Sequence, residues 1–320
     1  MLRAVGTRLL VALGMTLAVS ALLFATVELL PGDAAVAILG ANATPERVEA
    51  LQTELRLDDP AVVRYLRWIG GIVTGDLGNS IVSGRPAWSV IATPARNSLV
   101  LGTGAVLAMA ITALGVGVSA GRRPGAGVDR ALSAAASLTA STPDFVIGTV
   151  LIIVAASWLE VLPAVSLVKV GEAPWEDPAI LVLPILTLAL VGGGYGARLI
   201  RAIVADAAGS PHVEAAELAG VEPRRVVTRH LLPSVFGPIA QVLASLVPYA
   251  LGGTIVVERL FGYPGLGSLF TSQLAARDVV IVEAVGLLVA VVAIAALLVA
   301  DTVDVVADPR NRRSVPARTS

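Results

Sequence analysis

Six apolar runs, each close to the length a helix needs to cross a bilayer, dominate this chain. They extend roughly from Leu9 to Leu30, Ser98 to Ala120, Asp144 to Leu162, Ala179 to Leu199, Ser234 to Val257 and Val279 to Val303. The hydrocarbon core is about 30 Å thick and a helix rises about 1.5 Å per residue, so about 20 apolar residues suffice. Inside lipid the backbone finds no water, and a helix satisfies its own polar groups. The runs therefore predict an all-α integral membrane protein with about six transmembrane helices. Composition agrees: 15% of residues are charged, against about 25% in soluble domains.

The first run exceeds the 7–15 residue core of a secretion signal, and Leu30-Pro31-Gly32-Asp33 is a poor cleavage site, so a retained helix is expected. Residues 128–140 are weakly apolar and precede Ser141-Thr142-Pro143. They read as an interfacial helix or a kinked extension of the third run, with Thr142 as cap and Pro143 as first helical residue.

Orientation follows from arginine. With the N-terminus in the cytosol, the inside segments hold 14 of the 23 basic residues in the shorter loop length. The positive-inside rule favours that choice and puts both termini and residues 205–233 in the cytosol. In the first outer segment, Thr44-Pro45-Glu46 reads as a helix start with Val48, Leu51 and Leu55 on one stripe, and a second short helix is expected around Ala61–Trp68. That segment is a folded spacer or a docking face.

Residues 210–233 are polar and helical between two apolar runs. Ser210 suits a cap, Pro211 the first turn, and Gly220 a helix end in left-handed conformation. Glu222-Pro223 starts a second helix carrying Arg224, Arg225, Arg229 and His230 and stopping at Pro233. The result is a thin, rigid hairpin able to pass force to the fifth run, or an ordinary solvated hairpin.

Several chemistries are excluded. There is no cysteine, so no disulfide or thiolate metal site. A phosphate-binding loop G-x-x-x-x-G-K-[ST] needs a lysine among glycines, and the only lysine, Lys169, lacks them. No nucleophile–base pair stands out, and His212 and His230 are the only histidines. A net charge of -1 gives no pointer to nucleic acid. Glu28, Asp144, Glu160, Glu283 and Asp301 fall near run ends, leaving no evident ion relay at mid-membrane. Gly192-Gly193-Gly194-Tyr195-Gly196 is a close-packing face or a local helix break lining a path.

The spacing of Glu214-Ala215-Ala216, Gly220 and Leu232-Pro233 resembles the EAA loop of ABC importer permeases. More of the chain resembles the B-type permease of dipeptide, oligopeptide and nickel importers. The resemblance runs through Leu57-Asp58-Asp59-Pro60 with Tyr65 and Trp68, then Gly75-Asp76-Leu77-Gly78-Asn79-Ser80, then Ser141-Thr142-Pro143-Asp144-Phe145. It continues with Arg229-His230, Val257-Glu258-Arg259-Leu260-Phe261, Pro264-Gly265-Leu266-Gly267, Arg277-Asp278 and Asp308-Pro309-Arg310. Peptide-branch members tend to read Y-V-R-T-A-R-A-K-G at the hairpin, whereas this chain has His212 through Gly220 in the Glu-Ala-Ala form.

The resemblance implies a type I ABC importer permease fold (binding-protein-dependent transport inner-membrane component) in a prokaryotic cytoplasmic membrane. It implies an N-terminal transmembrane helix (1–30), an extracytoplasmic segment (31–97), a permease core (98–303) holding the loop 205–233, and a cytosolic tail (304–320). It implies a second, C-type permease, two ABC ATPase subunits that bind ATP and Mg, and an extracytoplasmic solute-binding protein. The chain itself would be non-catalytic and hold no cofactor or metal, with membrane lipid around it and no nucleic acid partner. Glu214, Ala215, Ala216, Gly220, Arg224 and Arg225 would seat in an ATPase groove. Phe261, Tyr263, Pro264, Gly265 and Gly267 lie in the outer loop expected to meet the binding protein, or in a turn with no partner. The cargo would be di- or oligopeptides, with nickel or another small solute as the alternative. A stand-alone secondary transporter is the competing class, and the scarcity of mid-membrane charge speaks against it.

Overall fold

A computed structural model describes residues 2–29, 36, 43–54, 59–169 and 171–307. The expected motif residues Leu55, Leu57-Asp58, Pro31-Gly32-Asp33 and Asp308-Pro309-Arg310 lie outside them. Among the described residues the chain is helical, with one isolated bridge between Asn79 and Pro86. The helices are α1 (Leu2–Glu28), α2 (Pro45–Glu54), α3 (Ala61–Thr74), α4 (Ala87–Gly121), α5 (Gly127–Ser141) and α6 (Asp144–Leu151). There follow α7 (Ala179–Ala208), α8 (Pro211–Leu218), α9 (Pro223–Val226), α10 (Leu232–Phe261), α11 (Leu266–Ala275) and α12 (Val279–Ala307).

Among the described residues, five helices are long and apolar enough to cross a membrane: Gly6–Thr26, Ala87–Gly121, Ala179–Ala208, Pro223–Phe261 and Val279–Val299. The expected third span, Asp144–Leu162, is not a single straight helix. α6 has 8 residues and continues as π turns for 7 more, Ile152–Trp158, which falls short of a crossing. It reaches that length only together with α5, from which it bends by 106°. The bend is local in origin. A proline disfavours helical geometry in the residue before it, and Thr142 sits at φ -97, ψ 131. Thr142 ends α5 instead of capping α6: its hydroxyl donates to Leu138 O at 2.7 Å. Pro143 takes the cap position, its carbonyl accepting from Val146 N–H at 3.0 Å. The second span begins at Ala87, earlier than the expected Ser98, because its first turns are amphipathic: Ala87 and Ile91 are buried while Trp88 is exposed.

The chain divides into two compact units. The first holds Leu99–Tyr263 and is centred on α7, whose span window is 67% buried against 33% or less in the other four spans. A helix apolar on every face belongs at a core. The Gly192–Gly196 run makes this possible, and α7 passes through it unbroken, so the packing reading holds. A Cβ on Gly192 would stand 2.6 Å from Met109 Cε, one on Gly193 2.7 Å from Thr112 Cβ, and one on Gly194 2.9 Å from Ala136 O. On Gly196 it would stand 2.9 Å from Ala113 Cβ. The glycines thus admit α4 and α5 to backbone contact.

The second unit holds Gly6–Ser98 and Pro264–Ile294. Its core is Ala87, Ile91, Ile281, Ala284 and Val285. α1 meets α3 through Phe24, Tyr65 and Trp68, with Phe24 and Tyr65 edge-on at 5.5 Å, and through the Glu28–Arg64 ion pair. The expected outer helices are both present as α2 and α3, the latter running on to Thr74. The Gly75–Ser80 motif leads into the bridged loop ahead of α4, where Ala87 N–H donates to Gly78 O at 2.9 Å.

Candidate coupling hairpin

The hairpin opens where α7 ends. Gly209 N–H reaches Ala205 O at 3.4 Å and Ser210 N–H reaches Ala207 O at 3.1 Å. The Ser210 hydroxyl donates back to Ala207 O at 2.6 Å, so it ties the two helices together instead of capping α8 as expected. The carbonyl of Ser210 starts the new helix, accepting from Val213 and Glu214 N–H at 3.0 and 3.1 Å.

Gly220 ends α8 in left-handed conformation, φ +74. Val221 N–H then bonds Ala216 O at 3.2 Å, a six-residue closure characteristic of glycine-terminated helices. Val221 and Ala216 also belong to one apolar cluster, as that closure favours. The space around Gly220 is open, so conformation alone, not crowding, demands glycine there.

The short helix has two distinct faces. Val213 and Ala216 are buried and pack with Val226, Leu231 and Val235. Glu214, Ala215, Leu218, Ala219, Gly220, Arg224 and Arg225 are exposed. Of the six residues expected to contact a partner, Ala216 therefore faces the core and holds the helix in place. The other five lie on the outer surface. Leu218 was missed by sequence reasoning: it is 83% exposed beside Ala215 and Ala219. Its signal was available, since it stands two residues past the buried Ala216 on a helix that turns about 100° per residue.

The second helix does not stop at Pro233. α9, a π turn at Val227–Leu231 and α10 form one continuous helix, Pro223–Phe261. Proline lacks an N–H and crowds the carbonyl four residues back, here Arg229. The wider π turn immediately before it relieves that crowding without ending the helix. The hairpin is thus joined rigidly to a membrane-length helix.

The loop expected to face outward is arranged otherwise. Phe261 and Tyr263 are fully buried, Tyr263 packing with Leu101, Ile180 and Leu181. Gly265 and Gly267 are buried, and Pro264 is partly so. Pro264 O accepts from Asn97 Nδ2 at 2.9 Å, and Leu266 N–H donates to Ser98 Oγ at 2.7 Å. In this conformation the Phe261 and Tyr263 side chains present no surface to a second protein. Exposed groups between Glu258 and Asp278 are Arg259, Gly262, Ser272, Leu274, Ala275 and Ala276.

Residues 113–313 match the family described as binding-protein-dependent transport system inner membrane component, and residues 1–90 match its N-terminal membrane component family. The glutathione transport system permease protein of Escherichia coli O6:H1 is 32% identical over 92% of this chain and 94% of its own length. The corresponding protein of Salmonella paratyphi A is 31% identical over 98% and 99%. The oligopeptide transport system permease protein of Bacillus subtilis is 27% identical over 95% and 97%.

Proposed function

Because the chain belongs to the binding-protein-dependent transport system inner membrane component family, we propose that its hairpin couples ATP hydrolysis on other subunits to peptide movement through the membrane. It is a multi-pass permease subunit of an ABC peptide importer with the type I permease fold. In our reading it is the B-type subunit, and a second, C-type permease completes the path. Two ABC ATPases hold ATP and Mg and seat the hairpin. An extracytoplasmic solute-binding protein delivers the peptide. This chain carries no catalytic residue. Residues 98–303 form the permease core in a prokaryotic cytoplasmic membrane, with both termini and the hairpin in the cytosol, as the arginine distribution supports.

One observation carries the reading: an exposed short helix, closed at Gly220 and packed through Val213 and Ala216 against Val226, Leu231 and Val235 of the membrane-length helix Pro223–Phe261. A load on Arg224 or Arg225 reaches α10 along one unbroken helix, and a load on Leu218 reaches it through the packing of Val213 and Ala216. ATP shifts the permease between inward- and outward-open states only if the ATPases grip the hairpin differently in the two. Swinging a population from 1:99 to 99:1 takes about 5.5 kcal/mol of differential binding, which a rigid hairpin delivers and a loose one dissipates. For the delivery protein, Ser272 and Leu274 are the proposed contacts, with Phe261, Tyr263, Pro264, Gly265 and Gly267 holding the turn.

The test is Gly220→Val in the reconstituted four-subunit importer. Valine at a left-handed position costs about 1–2 kcal/mol, enough to unseat the helix end. The variant is expected to insert and to bind its partner permease while peptide uptake and cargo-stimulated ATP hydrolysis fall together. Normal uptake by that variant counts against the coupling role.

A further inference from the structure

Where the apolar run of α7 ends near Leu199, an open cavity of about 460 Å³ is lined by Asp129, Arg130, Ser133, Ser137, Arg198 and Arg201. Its floor is rigid. Arg201 grips Asp129 with both arms of the guanidinium, Nε to Oδ1 at 3.0 Å and Nη2 to Oδ2 at 2.7 Å. The same carboxylate accepts from Gly125 N–H at 2.8 Å and from the Ser133 hydroxyl at 3.0 Å, and Asp129 is buried. That pair ties the first turn of α5 to α7.

Arg130 and Arg198 flank the floor. Both are exposed, and among the described residues neither is ion-paired with a carboxylate. Three guanidiniums against one carboxylate leave the cavity at +2. Guanidinium forks bind phosphate oxygens two at a time. Along the chain Leu138 follows Ser137 and Leu199 follows Arg198, and both leucines are exposed. A cationic pocket whose lining residues are followed in sequence by exposed leucines, at the point where an apolar helix run stops, suits the two chemistries of a lipid: an anionic headgroup and acyl chains. Basic pockets between membrane helices take such headgroups.

We propose that this cavity holds the phosphate of an anionic membrane lipid. Arg130 and Arg198 bind the phosphate, Ser137 adds a hydroxyl, and Leu138 and Leu199 lie against the acyl chains. Asp129 and Arg201 position the site without spending their own charge on the ligand. The bound lipid would pin α5 to α7 immediately before the hairpin begins.

The experiment uses the full chain in detergent supplemented with phosphatidylglycerol or with phosphatidylcholine, and native mass spectrometry counts the lipid retained. Wild type is expected to keep phosphatidylglycerol in preference to the zwitterionic lipid. Arg130→Gln with Arg198→Gln should weaken that retention about a hundredfold or more, since each lost charge-assisted hydrogen bond accounts for about tenfold. Its phosphatidylcholine retention and thermal midpoint in plain detergent should not change, because both arginines are exposed. Arg47→Gln, an exposed arginine far along the chain from the cavity, should behave as wild type. Equal retention of phosphatidylglycerol by wild type and double variant overturns the proposal. So does equal loss in the Arg47 variant, which would mark a general charge effect. Inorganic phosphate that displaces the lipid and stabilises the chain as well as it does would assign the site to a free anion and overturn the lipid.

Discussion

Ser80 donates its hydroxyl hydrogen to the carboxylate of Asp278, 198 residues further along the chain, and both side chains are buried. Asp278 also accepts from Ile81 N–H at 3.2 Å and from Ile281 N–H at 3.3 Å, so one carboxylate closes the loop before α4 and caps the start of α12. Ser80 in turn accepts from the Ser83 hydroxyl at 2.8 Å. Two short motifs separated by most of the sequence, Gly75–Ser80 and Arg277-Asp278, are thereby two halves of one knot. Removing the carboxylate with Asp278→Ala should cost about 2–4 kcal/mol, from a lost cap and stranded buried donors. Ser80→Ala should cost about 1 kcal/mol. The double variant should unfold close to the Asp278→Ala midpoint, since the two act through one contact. Thermal unfolding of the purified chain checks all three, and simple additivity would deny the shared knot.

The glycine run of α7 makes a paired prediction. Gly194→Val drives a branched side chain into Ala136 and Thr139 of α5 and should cost at least the 1–3 kcal/mol typical of overpacking, with loss of folded yield. Gly115→Ala, on α4 where a Cβ meets nothing within 4 Å, should be neutral or stabilise by up to about 1 kcal/mol. Size-exclusion profiles in detergent separate the two outcomes, and a well-folded Gly194→Val protein would contradict the close approach.

On the hairpin, Leu218→Glu changes a side chain that is 83% exposed. The thermal midpoint should shift by no more than about 0.5 kcal/mol equivalent. Co-purification of the ATPase subunits and peptide uptake should fall. Ala216→Leu, aimed into the core, should reverse the pattern by lowering stability first. If Leu218→Glu leaves the assembled importer fully active, Leu218 is not part of the seat.

The bend at Thr142-Pro143 is open to distance measurement. The chain has no cysteine, so spin labels at Leu138→Cys and Val150→Cys report without background. A straight helix would separate these Cα atoms by about 18 Å, and the 106° bend brings them closer. Pro143→Ala restores an N–H and frees Thr142 to adopt helical geometry. The interlabel distance should lengthen toward the straight value, and an unchanged distance would assign the bend to tertiary packing instead of proline.

Much of this was legible locally. Ser210-Pro211, Gly220 and Glu222-Pro223 mark the hairpin's turns because local turn hydrogen bonds, left-handed geometry and proline φ act on immediate neighbours, although Ser210 bonds back to Ala207 instead of capping forward. The two outer helices were legible for the same reason. The second hairpin helix runs on past the expected end at Pro233, because a π turn, one residue wider than the usual helical spacing, leaves no mark in residue type. The start of α4 was missed because Ala87 and Ile91 earn their burial from Ile281, Ala284 and Val285 of α12, which no window around residue 90 contains.

The sequence by itself determined that this chain lives in a membrane as helices, since twenty-residue apolar runs have no other way to satisfy their backbone in lipid. It also determined where the hairpin turns. Only the tertiary structure decided that Ala216 looks inward while Leu218 looks out, that α7 is the central helix of its unit, and that Ser80 meets Asp278. Each of those outcomes depends on which distant surface arrives to cover a side chain, and spacing along one segment carries no record of that.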